Sequence, residues 1–350
     1  MRAIQAILLA AASAASLHAR TASSETVSVA PAPESVAARV KSLTPEQIQQ
    51  ALSAIQQRHV GAASIDAAEL SRATLLGLLE RLQPGAELNG GDLQEPKVVP
   101  FQSEILEDRV GYVRLGSLRT ENIAQLDAAL DSFGDGKTDG IVLDLRATPE
   151  SRDFALAAEI AGRFVPAATT LFSMQGRTDA AGKPFISSEP LYRGLLVVLV
   201  DSSTRGAAEV IAAVLRRHAH AMLVGATTGG RAVEFESLPL GEGQQLRLAV
   251  AEARVEGLPP IYPDGLSPDL SVSQDPALRD AVLAASTGKG VAAFVFEHGR
   301  AQMNEAALVA GTNPELDNGD ATLEEGSLFD RPLQRAIDLI VAIRLFRGKD

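Results

Sequence analysis

The chain has 350 residues, of which 46% are hydrophobic, and this length allows one large domain or two smaller ones. The formal net charge of −12 disfavours nucleic acid and anionic membrane surfaces as partners. Cysteine and tryptophan are absent, which excludes disulfides, thiolate catalysis, cysteine-based zinc sites and stacking of bases or sugars on indole rings.

The first 40 residues have the composition of an export signal followed by a linker. Arg2 precedes an uncharged run over 3–17, which is short for a membrane span and has the length of a signal-peptide core. We therefore predict a signal peptide over 1–19 and an exported protein, periplasmic or extracellular, with no membrane span after cleavage. The alternative is a retained N-terminal anchor. Residues 20–40 are rich in Ser, Ala and Pro, which predicts a disordered linker.

Two amphipathic helices are predicted over 41–90, as a small N-terminal helical domain. The residues expected to start and stop them are Thr44, Pro45 and Gln47 for the first helix, Ser64 or Asp66 for the start of the second, and Pro84 with Gly85 for its end. Leucines repeat on one face of the second helix, as in a helix that packs against a core. Residues 91–108 follow as a polar connector.

From residue 109 onward, strand-like and helix-like segments alternate. The strand-like segments are VGYVRLGSL, GIVLDLR, LLVVLVD and AMLVG, and the helical segments between them are TENIAQLDAALDSF, which Thr120 is expected to cap, FALAAEIAGRFV and GAAEVIAAVLRR. Continuous apolar strands are typical of a parallel sheet, and their alternation with helices predicts an α/β domain with right-handed crossovers. We place this core at 109–274 and a C-terminal helical extension at 275–350, ending in the helix RPLQRAIDLIVAIRLF.

The order of these segments resembles the C-terminal processing peptidases, also called tail-specific proteases. The matching stretches are VGYVRLGSL, DGIVLDLRATPES, LLVVLVDSSTRGAAEVIAAVL, AMLVGATTGGRAV and GLPPIYPDGLSPDLSV. Members of this family are exported serine proteases with a Ser–Lys dyad, on a fold related to the crotonase and Clp-protease spirals. The resemblance therefore implies an α/β spiral core and a serine-type peptidase that acts on polypeptides.

The two catalytic positions of the family carry other residues here. Matching Glu209 to the glutamate of the nucleophile helix places Gly206 at the nucleophile position. Matching Gly230 to the family's glycine turn independently places Arg231 at the lysine position, and the separation of 25 residues equals the family's spacing. Glycine has no side chain to attack a carbonyl, and a guanidinium group does not release its proton to act as a general base.

Further features of the family are altered as well. Its Asn-Pro-Gly-Gly turn, which helps to form the oxyanion hole, here reads Thr148, Pro149, Glu150 and Ser151. A carboxylate at this turn would destabilise an oxyanion. The family's assisting Gln falls on Phe235 or Glu234. The segment 88–108 has about 20 residues, too few for the PDZ domain that family members usually carry there.

These departures predict a degenerate, PDZ-less member of the family with no intact catalytic set, no cofactor and no metal. It would act as a binding or scaffold subunit for a polypeptide or an active relative, and it could form a homo-oligomer. The alternative is an active serine peptidase with a relocated nucleophile. Its candidate nucleophiles are Ser202, Ser203, Thr204 and Ser151, with Lys183 or a histidine as base. Turn formation and helix capping explain these hydroxyl residues more simply.

Arg231 has an expected role of its own. We expect its guanidinium group to pair with Glu150 or Glu234 and to plug the former cleft, since it can hold a carboxylate through two hydrogen bonds. The alternative is that Arg231 is free and receives the carboxylate of a bound peptide tail. We also expect that Gly206→Ser combined with Arg231→Lys leaves the protein folded but restores little activity.

Overall fold

The structure is a computed structural model, and it describes residues 36–61, 66–90, 98–107, 109–178, 182–295 and 328–347. The predicted signal peptide lies outside these ranges. The chain divides into two compact units, Met1–Ala73 and Thr74–Asp350. Among the described residues, no helix has both the length and the apolar character needed to cross a membrane.

The N-terminal part of the chain is helical. Its helices are α1 (Val36–Ser42), α2 (Pro45–Arg58) and α3 (Ala67–Leu82). The capping box of α2 is confirmed, because the Thr44 hydroxyl accepts a hydrogen bond from the Gln47 N–H while the Gln47 side chain accepts one from the Thr44 N–H. Asp66 accepts a hydrogen bond from the Glu69 N–H at 2.7 Å, which confirms the predicted start of α3. Helix α1 begins inside the predicted linker, and neither α2 nor α3 buries a residue.

The second unit contains two sheets and their covering helices. The strands are β1 (Ala86–Asn89), β2 (Gln102–Leu106), β3 (Val110–Arg114), β4 (Gly140–Asp144), β5 (Thr170–Gly176), β6 (Lys183–Ile186), β7 (Leu196–Val200), β8 (Met222–Gly225), β9 (Val233–Gly241), β10 (Gln244–Arg254) and β11 (Leu270–Ser271). The helices are α4 (Glu121–Lys137), α5 (Phe154–Gly162), α6 (Ala207–His218), α7 (Pro276–Lys289), a 3₁₀ turn (Ala292–Phe294) and α8 (Arg331–Arg347).

The larger sheet has the strand order β11-β8-β7-β4-β3-β2 and is parallel except for β2. Strands β3, β4 and β7 are buried along their whole length, because helices cover both faces of the sheet. Ile141 and Leu143 pack in a core with α4, α5 and α6, whereas Val142 packs on the opposite face with Leu333 and Ile337 of α8. This arrangement confirms the predicted α/β fold class.

The smaller sheet is antiparallel, with the order β1-β10-β5-β6 and with β9 on the other side of β10. Glu87 of β1 is paired in register with Arg247 of β10, and Phe235 of β9 is paired with Ala249. Because side chains alternate along a strand, Glu87, Arg247 and Phe235 share one face of this sheet. That face carries part of the candidate site.

Three local predictions need correction. Residues 86–89 belong to the smaller sheet rather than to a helical domain, because the turn at Pro84 and Gly85 leads straight into pairing with β10. The predicted connector contains β2, which extends the larger sheet beside β3. Thr120 has a helical backbone and forms no side-chain cap, and the side chain of Asn122 instead accepts a hydrogen bond from the Arg119 N–H at 2.6 Å.

Candidate functional site

The candidate site lies where the turn before α6 meets the glycine turn after β8. The buried carboxylate of Glu209 joins the two turns. Its Oε2 accepts hydrogen bonds from the N–H groups of Gly206 (3.0 Å) and Arg231 (2.7 Å). Its Oε1 accepts from the Gly230 N–H (2.7 Å) and the Thr228 hydroxyl (2.5 Å). The structure therefore brings Gly206 and Arg231 together, as their spacing in the sequence suggested.

Glu209 has the environment of a structural group. Burial raises the pKa of its carboxyl group, and the four donated hydrogen bonds oppose this by favouring the charged form. All of these donors belong to the protein, and the side chain has no exposed surface. This geometry gives Glu209 a structural role, which is to hold the two turns together.

Gly206 has a backbone conformation that a residue with a side chain rarely adopts. Its φ is +63° and its ψ is −124°. A Cβ atom added here would lie less than 3.0 Å from the carbonyl oxygen of Ser151. A serine at this position would therefore be strained unless the turn moved. We therefore expect Gly206→Ser to lower the stability of the fold, and whether the double variant with Arg231→Lys stays folded remains a prediction.

The amide groups at the start of α6 already have partners. The Ala207 N–H, which follows the nucleophile position, donates to the carbonyl oxygen of Ser151 at 2.9 Å. Ser151 and Gly206 form a parallel β-bridge, and the Gly206 N–H is bound by Glu209. An oxyanion hole needs N–H groups that are free to receive the developing charge. These two amides do not provide one in this conformation.

The four residues of the altered turn are all placed at the site. Thr148 is buried, and among the described residues its hydroxyl oxygen has no hydrogen-bond partner. Pro149, Glu150 and Ser151 are half-buried. The Cγ atom of Glu150 lies 3.4 Å from the position of a Cβ added at Gly206. The Glu150 side chain therefore occupies the surroundings of the nucleophile position.

Glu87, Glu150, Arg231 and Arg247 form a closed set of alternating charges, which we call the charge ring. Arg231 donates to Glu150 through Nε at 2.7 Å and also binds Glu87. Arg247 donates to Glu87 at 3.1 Å, and its Nη2 lies 3.9 Å from Glu150. Only about 10% of the Arg231 side chain is exposed. Burial lowers the pKa of Arg231, but its hydrogen bonds to Glu87 and Glu150 outweigh this effect and raise it.

Of the two predicted partners of Arg231, one is confirmed and the other is wrong. The pairing with Glu150 is confirmed. Glu234 is exposed on β9, because it is the strand neighbour of the buried Phe235 and projects to the other face.

Phe235 lies at one of the two positions matched to the family's assisting Gln. Its ring lies against the charge ring, with the guanidinium carbon of Arg231 5.0 Å from the ring centre. Sequence reasoning missed Glu87 because its strand is only four residues long.

The alternative nucleophiles are held by structural hydrogen bonds. The Ser203 hydroxyl binds the carbonyl of Arg146 and lies 2.5 Å from Asp201, and the Thr204 hydroxyl binds the carbonyl of Leu145. Among the described residues, no hydrogen bond joins these hydroxyls, or those of Ser202 and Ser151, to a lysine or a histidine. Lys183 lies on β6, where its ammonium group contacts the Phe185 ring.

A cavity of about 320 Å³ borders the site on the side of α7. Its lining residues are Glu150, Ser202, Ser203, Arg205, Pro276 and Arg279. Arg279 is paired with Asp201 at 2.7 Å, so the carboxylate nearest to Ser203 is held in an ion pair. Within the described ranges, no group of three or more His, Asp and Glu side chains is arranged to hold a metal ion.

A buried ion network is centred on Arg146, two residues before the altered turn begins at Thr148. The Arg146 guanidinium donates to Asp144 at 2.7 Å and to both oxygens of Asp330 at 2.8 Å. The Tyr112 hydroxyl also donates to Asp144, and the side chains of the ionic residues are at most 3% exposed. Burial raises the pKa of Asp144, but Arg146 outweighs this effect and lowers it. This network attaches the segment before α8 to the end of β4.

The segment that contains the two turns of the site matches a known protein family. Residues 109–272 match the family model described as Peptidase family S41. The match covers just under half of the chain and identifies residues 109–272 as an S41-type core. The resemblance seen in the sequence is thus confirmed.

Individual relatives are carboxyl-terminal-processing proteases. The enzyme of Picosynechococcus sp. is 28% identical over 173 residues, which cover 48% of this chain and 40% of the relative. Carboxy-terminal processing protease CtpA of Bacillus subtilis is 24% identical over 168 residues, which cover 48% and 36%. Among solved structures, the photosystem II D1 C-terminal processing protease is 22% identical, with a TM-score of 0.43, over 53% of this chain and 50% of that one. The chain spans about two fifths of the length of these curated relatives.

Proposed function

We propose that this protein is an exported, non-catalytic member of the S41 family that binds polypeptide without cleaving it. The observation that carries the proposal is the charge ring, in which Arg231 holds the Glu150 carboxylate beside Gly206. Export is inferred from the signal-like composition of residues 1–19. The ligand is a polypeptide or an active relative, and self-association belongs to the same proposal.

Peptide hydrolysis by a serine dyad has three chemical requirements, and the described site lacks each of them. The reaction needs a nucleophilic side chain, which Gly206 does not have. It needs a base that can lose its proton, whereas the pKa of Arg231 is raised above an already high value. It also needs free amide donors for the oxyanion, and the Ala207 N–H is bound to Ser151.

The relocated-nucleophile alternative has weaker support. Ser203 and Ser202 do border the cavity, which gives a substrate carbonyl access to them. A serine hydroxyl still needs a neighbouring base, and the carboxylate of Asp201 is held in an ion pair with Arg279. The positions of these serines are accounted for by the turn that leads into α6.

The purified protein is expected to show no hydrolysis of unfolded casein above a blank and no labelling by a fluorophosphonate serine probe. Loss of the nucleophile or of the base alone typically removes several orders of magnitude in rate. The measurement is fluorescence release from labelled casein, together with labelling of the wild type and of Ser151→Ala, Ser202→Ala and Ser203→Ala variants. Hydrolysis that disappears in Ser203→Ala would establish the relocated nucleophile instead.

Arg231→Ala is expected to lower the free energy of unfolding by about 1.5–3 kcal/mol, because Glu87 and Glu150 each lose a charged hydrogen-bond donor. Urea unfolding followed by circular dichroism measures this change. The matched control is Arg335→Ala, which removes an ion pair whose side chains are 52% and 39% exposed, and we expect it to change stability by about 0–1 kcal/mol. Unchanged stability of Arg231→Ala with loss of peptide binding would show that Arg231 serves a ligand rather than the fold.

A further inference from the structure

A third arginine stands beside the charge ring. The guanidinium carbons of Arg152, Arg231 and Arg247 lie 5.5, 5.0 and 4.6 Å from the centre of the Phe235 ring. The charge ring itself is balanced, with two carboxylates and two guanidinium groups. Arg152 adds one positive charge, and no carboxylate among the described residues lies within 4.0 Å of its guanidinium nitrogens. The cluster around Phe235 therefore has an excess charge of +1.

Arg247 has donors that the protein does not use. Its Nε and Nη2 atoms are buried and have no hydrogen-bond partner in the described part of the chain. Buried donors in native proteins usually bind a protein group, a water molecule or an ion. Burial and the nearby charge of Arg247 also lower the pKa of Arg152, so two like charges are held beside one ring. An anion at this place would satisfy both features.

The geometry of the cluster indicates which kind of anion. Glu87 and Glu150 each lie between Arg231 and Arg247, so this environment already accepts carboxylates in bridging positions. A single excess positive charge matches a monoanion, and the planar guanidinium fork matches the two oxygens of a carboxylate. We propose that Arg152 and Arg247 bind the carboxylate group of a ligand beside the Phe235 ring.

This inference rests on the proposed function, because the ligand is a carboxylate-bearing peptide that is held at a non-catalytic site. Arg152 is exposed, so it is the side chain that a ligand meets first. The Nε and Nη2 atoms of Arg247 are buried, so a ligand reaches them only if a neighbouring side chain moves. A peptide can supply the carboxylate from its C-terminus or from an acidic side chain, and the two sources share the same recognition chemistry.

The experiment is thermal unfolding of the full chain in rising concentrations of small probes. The probes are N-acetyl-alanine, which has a terminal carboxylate, N-acetyl-glutamate α-amide, which has only a side-chain carboxylate, and N-acetyl-alanine amide, which has none. Sodium chloride at equal ionic strength controls for screening. We expect at least one carboxylate probe to raise the melting temperature saturably, while the amide probe does not, because only binding to the folded state stabilises it.

Two variants assign the effect to residues. Arg152→Gln is expected to weaken the apparent affinity for the carboxylate probe at least tenfold. Because Arg152 is exposed, we expect the variant to remain folded. The matched control, Arg344→Gln, changes an exposed arginine of α8 and should leave the affinity unchanged. The inference is overturned if no carboxylate probe stabilises the wild type, if the amide acts equally, or if both variants behave alike. Casein hydrolysis would instead overturn the proposed function, whatever the probes do.

Discussion

Replacing Asp330 with alanine is expected to lower the free energy of unfolding by about 3–5 kcal/mol. The side chain is 3% exposed, and both of its carboxylate oxygens accept hydrogen bonds from Arg146. The change leaves a buried guanidinium with only Asp144 as its charged partner. It also removes the acceptor for the Leu333 N–H in the first turn of α8. Urea unfolding at neutral pH measures the loss.

Asp338→Ala is the matched control for this change, because it removes a carboxylate from the same helix. Its ion pair with Arg335 is largely exposed, so we expect a loss of about 0–1 kcal/mol. If the two variants had equal stability, the buried network would contribute nothing specific, and α8 would be held by its apolar contacts alone.

Gly206→Ser is expected to lower the free energy of unfolding by about 2–5 kcal/mol, because strain at positive φ adds to the steric overlap with Ser151. Combining it with Arg231→Lys is expected to restore no peptidase turnover, since the Ala207 N–H remains bound to Ser151. Urea unfolding and casein hydrolysis on the same preparation measure both effects.

The control for the glycine substitution is Gly288→Ser. A Cβ added at Gly288 meets no atom within 4 Å, so the same chemical change should have only a small effect there. A Gly206→Ser protein as stable as this control would show that the turn rearranges readily. Robust turnover in the double variant would show in addition that the amide of Ala207 becomes free.

The core of the fold could be predicted because the local sequence of its strands indicates that they are buried. Strands β4 and β7 are continuous apolar runs, and each is buried on both faces between helices. The smaller sheet has no such pattern. Most residues of strand β10 are exposed or half-buried, since one of its faces carries the charged cluster, and Arg247 and Glu252 interrupt its apolar residues.

The candidate site was predictable in part for a similar reason. Gly206 and Arg231 lie in turns whose local sequences are distinctive, and Glu150 could be named as a partner because it lies in a third such turn. Glu87 could not be found in this way, because it lies 144 residues from Arg231 along the chain. Its contact depends on the pairing of β1 with β10, which no local pattern in a four-residue strand indicates.

The ion pair of Arg146 with Asp330 also limits how much of the fold can form while the chain is being synthesised. The two residues are 184 positions apart, so at about 5–20 residues per second the ribosome needs about 10–40 s to add the second after the first. During this time Arg146 has only Asp144 for a charged partner, and the sheet face that carries Val142 and Val197 has no α8 to cover it. The nascent chain therefore exposes a hydrophobic sheet face to chaperones until α8 has emerged.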